Sequence, residues 1–279
     1  MEYLLGLALL AAAAAALVLP SRLRRRRRNR LFGSPLPERH RRIVERNLPL
    51  YARMPAEVRE ELGGHVNVFL DEKRFLGCGG LKLTEEMCVT IAAHACLLLL
   101  NREPRYFPGS DTILLYPGTY LVDEVAYDGE VEISGQDARA GESWHLGPVV
   151  LSWADVERSF SRDADGTNVV LHEFAHKLDE ENPDAEALPV LGAASDYADW
   201  ERVLSHTWEH LEESLARHED PALDDYALTS PAEFFAVATE SFFERAADLK
   251  AQFPDLYAQF RRYYRVDPAS WGRRAGAAR

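Results

Sequence analysis

The spacing of apolar residues divides the chain into two helical parts with a β-rich part between them. Apolar positions that recur every three to four residues predict amphipathic helices. The predicted helices cover residues 38–47, 55–72, 84–101, 153–160, 166–180, 195–217, 231–246 and 248–264. Short runs rich in β-branched and aromatic residues, interrupted by Gly and Pro, predict a small sheet over residues 110–153. Together these patterns predict one α+β domain over residues 36–271, mostly helical with a small mixed sheet.

The N-terminal residues have a different pattern, an apolar run followed by arginines. Residues 3–19 carry no charge, and at about 1.5 Å per residue a helix of this length reaches roughly 25 Å, near the thickness of a bilayer core. We therefore predict a transmembrane anchor over residues 1–20 and a basic juxtamembrane linker over residues 21–35. Positive charge gathers on the cytoplasmic side, which predicts a single-pass protein of the bacterial inner membrane with its domain facing the cytoplasm. The alternative is an uncleaved amphipathic or signal-like tail on a soluble protein.

Net charge and cysteine content limit the classes of protein to which this chain can belong. The net charge is -13, and because the first 33 residues hold seven arginines and one glutamate, the rest of the chain carries -19. An acidic domain excludes a nucleic-acid-binding protein, which needs a basic folded surface. Three cysteines without C-x-x-C spacing do not make a disulfide framework and fit a reducing cytoplasm. Residues 272–279 are expected to be a flexible tail.

The strongest chemical signal is the H-E-x-x-H motif of residues 172–176. On a helix, His172 and His176 share a face and can bind one metal ion, while Glu173 can reach a water bound to that ion. Neutral imidazoles suit Zn²⁺, and an incomplete set of protein ligands leaves a position for the water. The motif therefore predicts a zinc site with Glu173 as general base. Asp179, seven residues after His172, is expected to accept the second ring N–H of a ligand histidine.

A rival motif, H-x-x-E-H, occupies residues 206–210. In that predicted helix the apolar seam contains Leu204, Trp208, Leu211 and Leu215, and His206 and His210 lie off it. They are expected on a solvated face, whereas the histidines of the first motif are bordered by apolar residues. We therefore assign the metal to the first motif.

A third protein ligand has to come from elsewhere, because no histidine stands six residues after His176. The predicted helix after Ser230 offers Glu233 and Glu240, seven residues apart on one face. Glu233 also fits a capping box with Ser230, which needs no metal. Spacing alone favours Glu233 only slightly.

Two further features could take part in catalysis. Tyr226, in the preceding loop, could stabilise a developing oxyanion, although a partly buried loop tyrosine explains it equally well. The strand over residues 147–153 could bind a substrate backbone as an edge strand, or could be an ordinary core strand.

Several segments together resemble the Mlc titration factor A family of zinc-dependent peptidases. They are HEFAHKLD, SPAEFFAVATESFFE, GESWHLGPVVLSWADV and FPDLYAQFRRYYRVDPASW, and the resemblance extends over about residues 36–271. Family members often carry a histidine in the loop that here reads YDGEVEISGQDARAGESW, where this chain has none.

The resemblance implies a zincin-like fold and a gluzincin-like site. It implies one Zn²⁺ on His172, His176 and Glu233, with Glu173 as general base and Tyr226 assisting. The implied activity is aminopeptidase-like hydrolysis of a peptide or protein substrate. The alternative that it implies is a regulatory protein that sequesters a transcriptional repressor or another cytoplasmic partner.

Overall fold

A computed structural model of the chain describes residues 21–102, 104–118, 120–121, 138–139, 141–143, 147–161, 166–182 and 194–272. The predicted anchor, residues 1–20, and all but Gly272 of the predicted tail lie outside these ranges. Among the helices of the described ranges, none combines the length and apolar content needed to cross a membrane.

The described elements confirm an α+β domain that is mostly helical. The helices are α1 (21–32), α2 (Glu38–Asn47), α3 (Ala56–Glu72), α4 (Glu85–Leu97), α5 (Trp153–Ser159), α6 (Val169–Asp179), α7 (Ala194–Ala216), α8 (Pro231–Glu244), α9 (Ala246–Gln252) and α10 (Pro254–Tyr264). The strands are β1 (Arg74–Gly77), β2 (Thr112–Tyr116), β3 (Tyr120–Leu121), β4 (Ala138–Arg139), β5 (Gly141–Ser143) and β6 (Val149–Ser152).

Two predicted helix boundaries are wrong. The helix expected over residues 84–101 ends at Leu97 and continues as turns. The one expected over residues 248–264 is two helices, α9 and α10, because Pro254 interrupts it. Proline has no N–H for the preceding turn and disfavours helical backbone in the residue before it, so it begins a new helix instead.

The main sheet has the strand order β1-β2-β6-β5 and is mixed, as predicted. β1, β2 and β6 are parallel, with Arg74 opposite Thr112 and Ile113 opposite Val149. β5 is antiparallel to β6, and Glu142 lies opposite Val150. Of the two alternatives for residues 147–153, the core strand is confirmed and the edge strand is not, because β2 and β5 flank β6 on its two sides.

Strand β1 was missed by the sequence analysis. Its residues are mostly exposed, so the segment RFLG lacks the apolar alternation by which a strand is recognised. Of the predicted β segments, EVEIS and most of TYLVDEVAY lie outside the described residues.

The basic segment expected as a linker is helical and packed on the domain. Residues 21–32 form α1, which lies along α3. The Arg24 and Arg28 guanidinium groups both donate to the Glu72 carboxylate, at 3.0 Å and 2.6 Å, and Arg27 pairs with Asp71. The pKa of Glu72 is lowered to about 2, because the hydrogen bonds from the two arginines outweigh the opposing effect of burial.

The core surrounds α6, the helix that carries the H-E-x-x-H motif. Phe174 is fully buried on α6, and its ring centroid lies 5.6 Å from that of Phe69 on α3 and 4.7 Å from that of Phe107. α6 makes its most extensive contacts with α8, whose Phe234, Phe235 and Phe242 are also buried. The expectation that α6 is embedded in the domain is thus confirmed, and its packing against α8 positions the site.

Candidate metal centre

The two motif histidines project from the same side of α6. Their Nε2 atoms lie 3.2 Å apart, and their ring planes are inclined at 79°. The helix begins at Asn168, whose side-chain oxygen accepts a hydrogen bond from the Leu171 N–H. This cap satisfies one of the free N–H groups at the helix start and fixes the first turn, immediately before His172.

Glu233 on α8 completes a group of three potential metal ligands. Its Oε2 atom lies 2.9 Å from Nε2 of His172 and 3.5 Å from Nε2 of His176. Ligand atoms bound tetrahedrally at about 2.0–2.1 Å from zinc are about 3.3 Å apart, so this triangle has the size that one metal ion requires. Within the described ranges, this is the one group of at least three His, Cys, Asp or Glu residues with converging ligand atoms.

The capping explanation of Glu233 accounts for only part of its environment. Ser230 does cap α8, since its hydroxyl accepts a hydrogen bond from the Glu233 N–H at 3.2 Å. The Glu233 carboxylate, however, faces the histidines of α6 instead of folding back to the N-cap. Its pKa is lowered to about 2: burial raises it, but the hydrogen bonds with His172 and His176 outweigh that effect.

Glu240 orients the first histidine from the other side of the ring. Its Oε1 atom lies 2.8 Å from Nδ1 of His172 and accepts a hydrogen bond from that nitrogen, so a neutral His172 would keep its proton on Nδ1 and present the lone pair of Nε2 to the site. Glu240, and not Asp179, is therefore the partner of this N–H in His172, whereas a bond from Asp179 to His176 stays a prediction. Burial lowers the pKa of His172, but hydrogen bonds with Glu233 and Glu240 raise it to about 10, so a metal ion at Nε2 would have to displace the proton of that nitrogen.

A buried polar network supports Glu240, and the sequence analysis missed it. The backbone N–H of Asn168 donates to Oε2 of Glu240, and its side-chain Nδ2 donates to His94 and to Glu244, both at 2.7 Å. The helix-starting position of Asn168 could have been recognised as an N-cap. Its contacts with α4 and α8 are long-range, and no local spacing indicates them.

Glu173 lies beside the three converging ligand atoms and is almost fully buried. It is 4 % exposed, and its Oε2 atom accepts no hydrogen bond from the described residues. Burial raises the pKa of Glu173 to about 7, against the opposing effect of His172 and His176. A carboxylate with a pKa near neutrality can both accept and return a proton, as a general base and acid must.

Tyr226 lies at the outer side of the same site. It belongs to a 3₁₀ turn, Asp225–Leu228, and its ring centroid is 6.1 Å from that of His172. The residue is 50 % exposed, which is compatible both with an assisting role and with the partly buried loop tyrosine considered above.

The rival motif on α7 does not form a metal site in the described structure. His206 is exposed, and the His210 ring packs against Phe253 with centroids 5.2 Å apart. The buried side of α7 contains Trp200, Val203, Thr207, Leu211 and Ser214. Of the predicted apolar seam, Leu211 is fully buried and the other three residues are half-buried. The expectation that the two histidines lie off the core face is confirmed for His206.

Comparison with known proteins identifies the family. The model of the family described as glucose-regulated metallo-peptidase M90 matches residues 22–265. The protein slr2042 of Synechocystis sp. is 37% identical over 240 residues, covering 85% of this chain and 87% of its own length. Mlc titration factor A of Yersinia pestis is 36% identical over 227 residues, covering 80% of this chain and 83% of its own, and the Yersinia pseudotuberculosis protein of that name matches equally. The chain therefore belongs to the glucose-regulated metallo-peptidase M90 family.

Proposed function

We propose that this protein is a zinc metallopeptidase that hydrolyses peptide bonds, with His172, His176 and Glu233 as the zinc ligands. The observation that carries the proposal is the convergence of two imidazole nitrogens and one carboxylate oxygen within 3.5 Å of one another. Two histidines and a glutamate are a known ligand set of catalytic zinc. The Glu240 carboxylate at Nδ1 of His172 supports the same assignment, since it orients the ring so that Nε2 faces the other two ligand atoms.

The residues around the ligands supply the remaining chemistry. A zinc ion held there would lower the pKa of a bound water and polarise a substrate carbonyl. Glu173 accepts a proton from the attacking water and returns it to the leaving amine nitrogen. Tyr226 donates a hydrogen bond to the oxygen on which negative charge develops.

We assign aminopeptidase-like specificity and a backbone-binding strand as finer parts of the proposal. The -19 net charge outside the N-terminal segment favours a substrate with a protonated amino group. With β6 enclosed, β5 is the outer strand of the main sheet among the described residues, and it contacts α6. A peptide that adds to β5 would lie along the helix that bears the ligands.

The second candidate is a regulatory protein that binds and sequesters a transcriptional repressor. It is favoured by one observation, the name Mlc titration factor A carried by relatives that match most of the chain. The buried Glu173 carboxylate favours the enzyme, because a purely structural metal site has no use for a general base beside its ligands.

We also propose that residues 1–20 anchor the protein in the bacterial inner membrane with the domain facing the cytoplasm. The support is the apolar run followed by arginines. A cytoplasmic reporter fused after Arg279 should be active, and a reporter that works only in the periplasm should be silent. The opposite pattern would reverse the orientation.

The central test is zinc content and peptide hydrolysis of the full chain, purified in mild detergent. Chromogenic amino-acid and peptide substrates should be assayed with free and with acetylated amino groups. Glu173→Gln should keep zinc and lose roughly 10²–10⁴-fold in turnover, since the base is removed. The matched control is Glu209→Gln, the same change in the exposed motif of α7, which should leave turnover intact.

The outcomes separate the two candidates. Zinc with cleavage that disappears in Glu173→Gln but not in Glu209→Gln would establish the peptidase, and a preference for free amino groups would establish its aminopeptidase character. Undiminished cleavage in Glu173→Gln would refute the mechanism. Zinc without cleavage in any variant would favour the repressor-binding protein.

A further inference from the structure

Four arginines on α1 form an exposed cationic surface, which we call the arginine face. Its members are Arg22, Arg25, Arg26 and Arg30, and all four are exposed. At about 100° per residue they occupy one side of the helix, opposite the arginines that bind Asp71 and Glu72 on α3. Within the described part of the chain, the arginine face makes no ion pair.

Two exposed apolar side chains border the arginine face. Leu23 is 54 % exposed and Phe32 is 41 % exposed, and they lie at opposite edges of the face in helical projection. Cations flanked by apolar groups are typical of helices that lie in a membrane interface, where the apolar groups enter the acyl boundary and the cations meet the headgroups. An ordinary solvated helix face has no need of the apolar borders.

We propose that the arginine face binds the headgroups of an anionic phospholipid bilayer. The charge of the arginine face and the sequence that precedes it both indicate an anionic bilayer as the binding partner. The face is positive, whereas the chain after residue 33 carries -19, and in the sequence the arginines follow directly on the apolar run of residues 3–19 and Pro20. Clusters of arginines beside an apolar segment bind anionic lipid through electrostatic attraction.

The opposite side of α1 is fixed to the domain, so lipid binding would also orient the domain. Because Arg24 and Arg28 hold the same Glu72 carboxylate, α1 is fixed to α3 instead of hanging from the domain as a loose tether. The contact of Phe32 with the His65 ring, at 4.9 Å between centroids, secures the other end. A bilayer bound to the arginine face would therefore hold the whole domain in one orientation.

Nucleic acid fits the arginine face less well. A nucleic-acid surface usually combines cations with polar or stacking groups that contact sugars and bases. The arginine face offers cations and apolar borders, and the acidic remainder of the chain repels an extended polyanion. The inference is independent of peptidase activity, so its failure would leave the proposed reaction untouched.

The test measures how strongly the full chain prefers anionic over neutral vesicles. Partition coefficients are determined by flotation with phosphatidylcholine vesicles and with vesicles of equal parts phosphatidylglycerol and phosphatidylcholine, over a series of salt concentrations. The test variant combines Arg22→Gln, Arg25→Gln, Arg26→Gln and Arg30→Gln. The control combines Arg39→Gln, Arg42→Gln, Arg202→Gln and Arg261→Gln, four exposed arginines elsewhere on the domain.

Residues 3–19 are present in every sample, so their contribution to vesicle binding cancels in the ratio of the two partition coefficients. Each arginine near an anionic surface contributes about fivefold, so the test variant should lose roughly several hundredfold of the anionic preference at low salt. The control should stay within about threefold of the wild type, because its arginines lie off the proposed contact surface. Circular dichroism should be the same for all three proteins, since the arginine face makes no ion pair with the described residues and the ion pairs of the control arginines lie at the surface, where they contribute little to stability.

Three results would overturn the proposal. One is a ratio near unity between the wild-type partition coefficients on anionic and on neutral vesicles. Another is an equal loss of anionic preference in the test variant and the control, which would mean that net charge alone determines binding. The third is binding of the wild type to polyuridylate as tight as to anionic vesicles and lost in the test variant, which would assign the arginine face to nucleic acid.

Discussion

Replacement of Glu240 by Gln should weaken zinc binding although Glu240 is not itself a proposed ligand. The two carboxylate oxygens accept two different hydrogen bonds, one at Oε1 from the Nδ1–H of His172 and one at Oε2 from the Asn168 N–H. A glutamine amide offers one acceptor and one donor group in the same volume. It can satisfy one of these two N–H groups and must turn its NH₂ toward the other.

Both orientations of the glutamine have a cost. If its oxygen faces His172, a buried backbone N–H of Asn168 loses its partner, at about 1–3 kcal/mol. If its NH₂ faces His172, the imidazole must shift its proton to Nε2, the atom that is proposed to bind zinc. Changes of this kind in groups that orient metal ligands lower metal affinity by about 10- to 100-fold, which corresponds to about 1.4–2.7 kcal/mol.

The assay is competition for zinc between the full chain and a chelator of known affinity at fixed pH. We expect the zinc affinity of Glu240→Gln to be about 100-fold lower than that of the wild type, at the upper end of the range, because both orientations of the glutamine are unfavourable. Glu209→Gln on the exposed side of α7 provides the matched control and should bind zinc as the wild type does. An affinity for zinc within about twofold of the wild type in folded Glu240→Gln would refute the role assigned to this carboxylate.

Three further predictions concern stability. Asn168→Ala should lower the free energy of unfolding by about 2–3 kcal/mol in urea titration, because it removes the cap of α6 and the hydrogen bonds to the buried His94 ring and the half-buried Glu244 carboxylate. A loss below about 0.5 kcal/mol would contradict the network. Burial lowers the pKa of His94 from 6.5 to about 4, so the unfolded state alone binds this proton between those values. Stability should therefore fall as pH drops through that window, by up to about 3 kcal/mol, and the wild type should show this dependence more strongly than His94→Gln. Phe174→Ala should cost about 3–5 kcal/mol, because it empties a fully buried site between Phe69 and Phe107, and a smaller loss would mean that the neighbouring rings collapse into the space.

The parts of the site that depend on local spacing could be predicted from the sequence. His172 and His176 face the same way because they are one helical turn apart, and the cap at Ser230 follows from short-range hydrogen bonding. The break at Pro254 was also available locally, since a proline in a helical pattern marks a boundary, and it was overlooked.

Long-range pairing explains most of what could not be predicted. Whether residues 147–153 form an edge or a central strand depends on which strands flank them, and β5 is too short to be recognised alone. The helical state of the arginine-rich segment depends on Asp71 and Glu72, which lie more than forty residues away. Local pattern identifies an element, but its neighbours determine its role.

The choice between Glu233 and Glu240 shows this limit most clearly, because the spacing placed both on one face of α8 and could not decide between them. The structure uses both, on opposite sides of the same imidazole: Glu233 faces Nε2 of His172, and Glu240 faces Nδ1. Glu233 and Glu240 are seven positions apart, which corresponds to two helical turns, so the ring of His172 lies between two carboxylates of a single helix. The geometry of His172 is therefore a property of the packing of α6 against α8. A change that shifts either helix should weaken metal binding even where it touches no ligand, and bound metal should in turn stabilise the contact between the two helices.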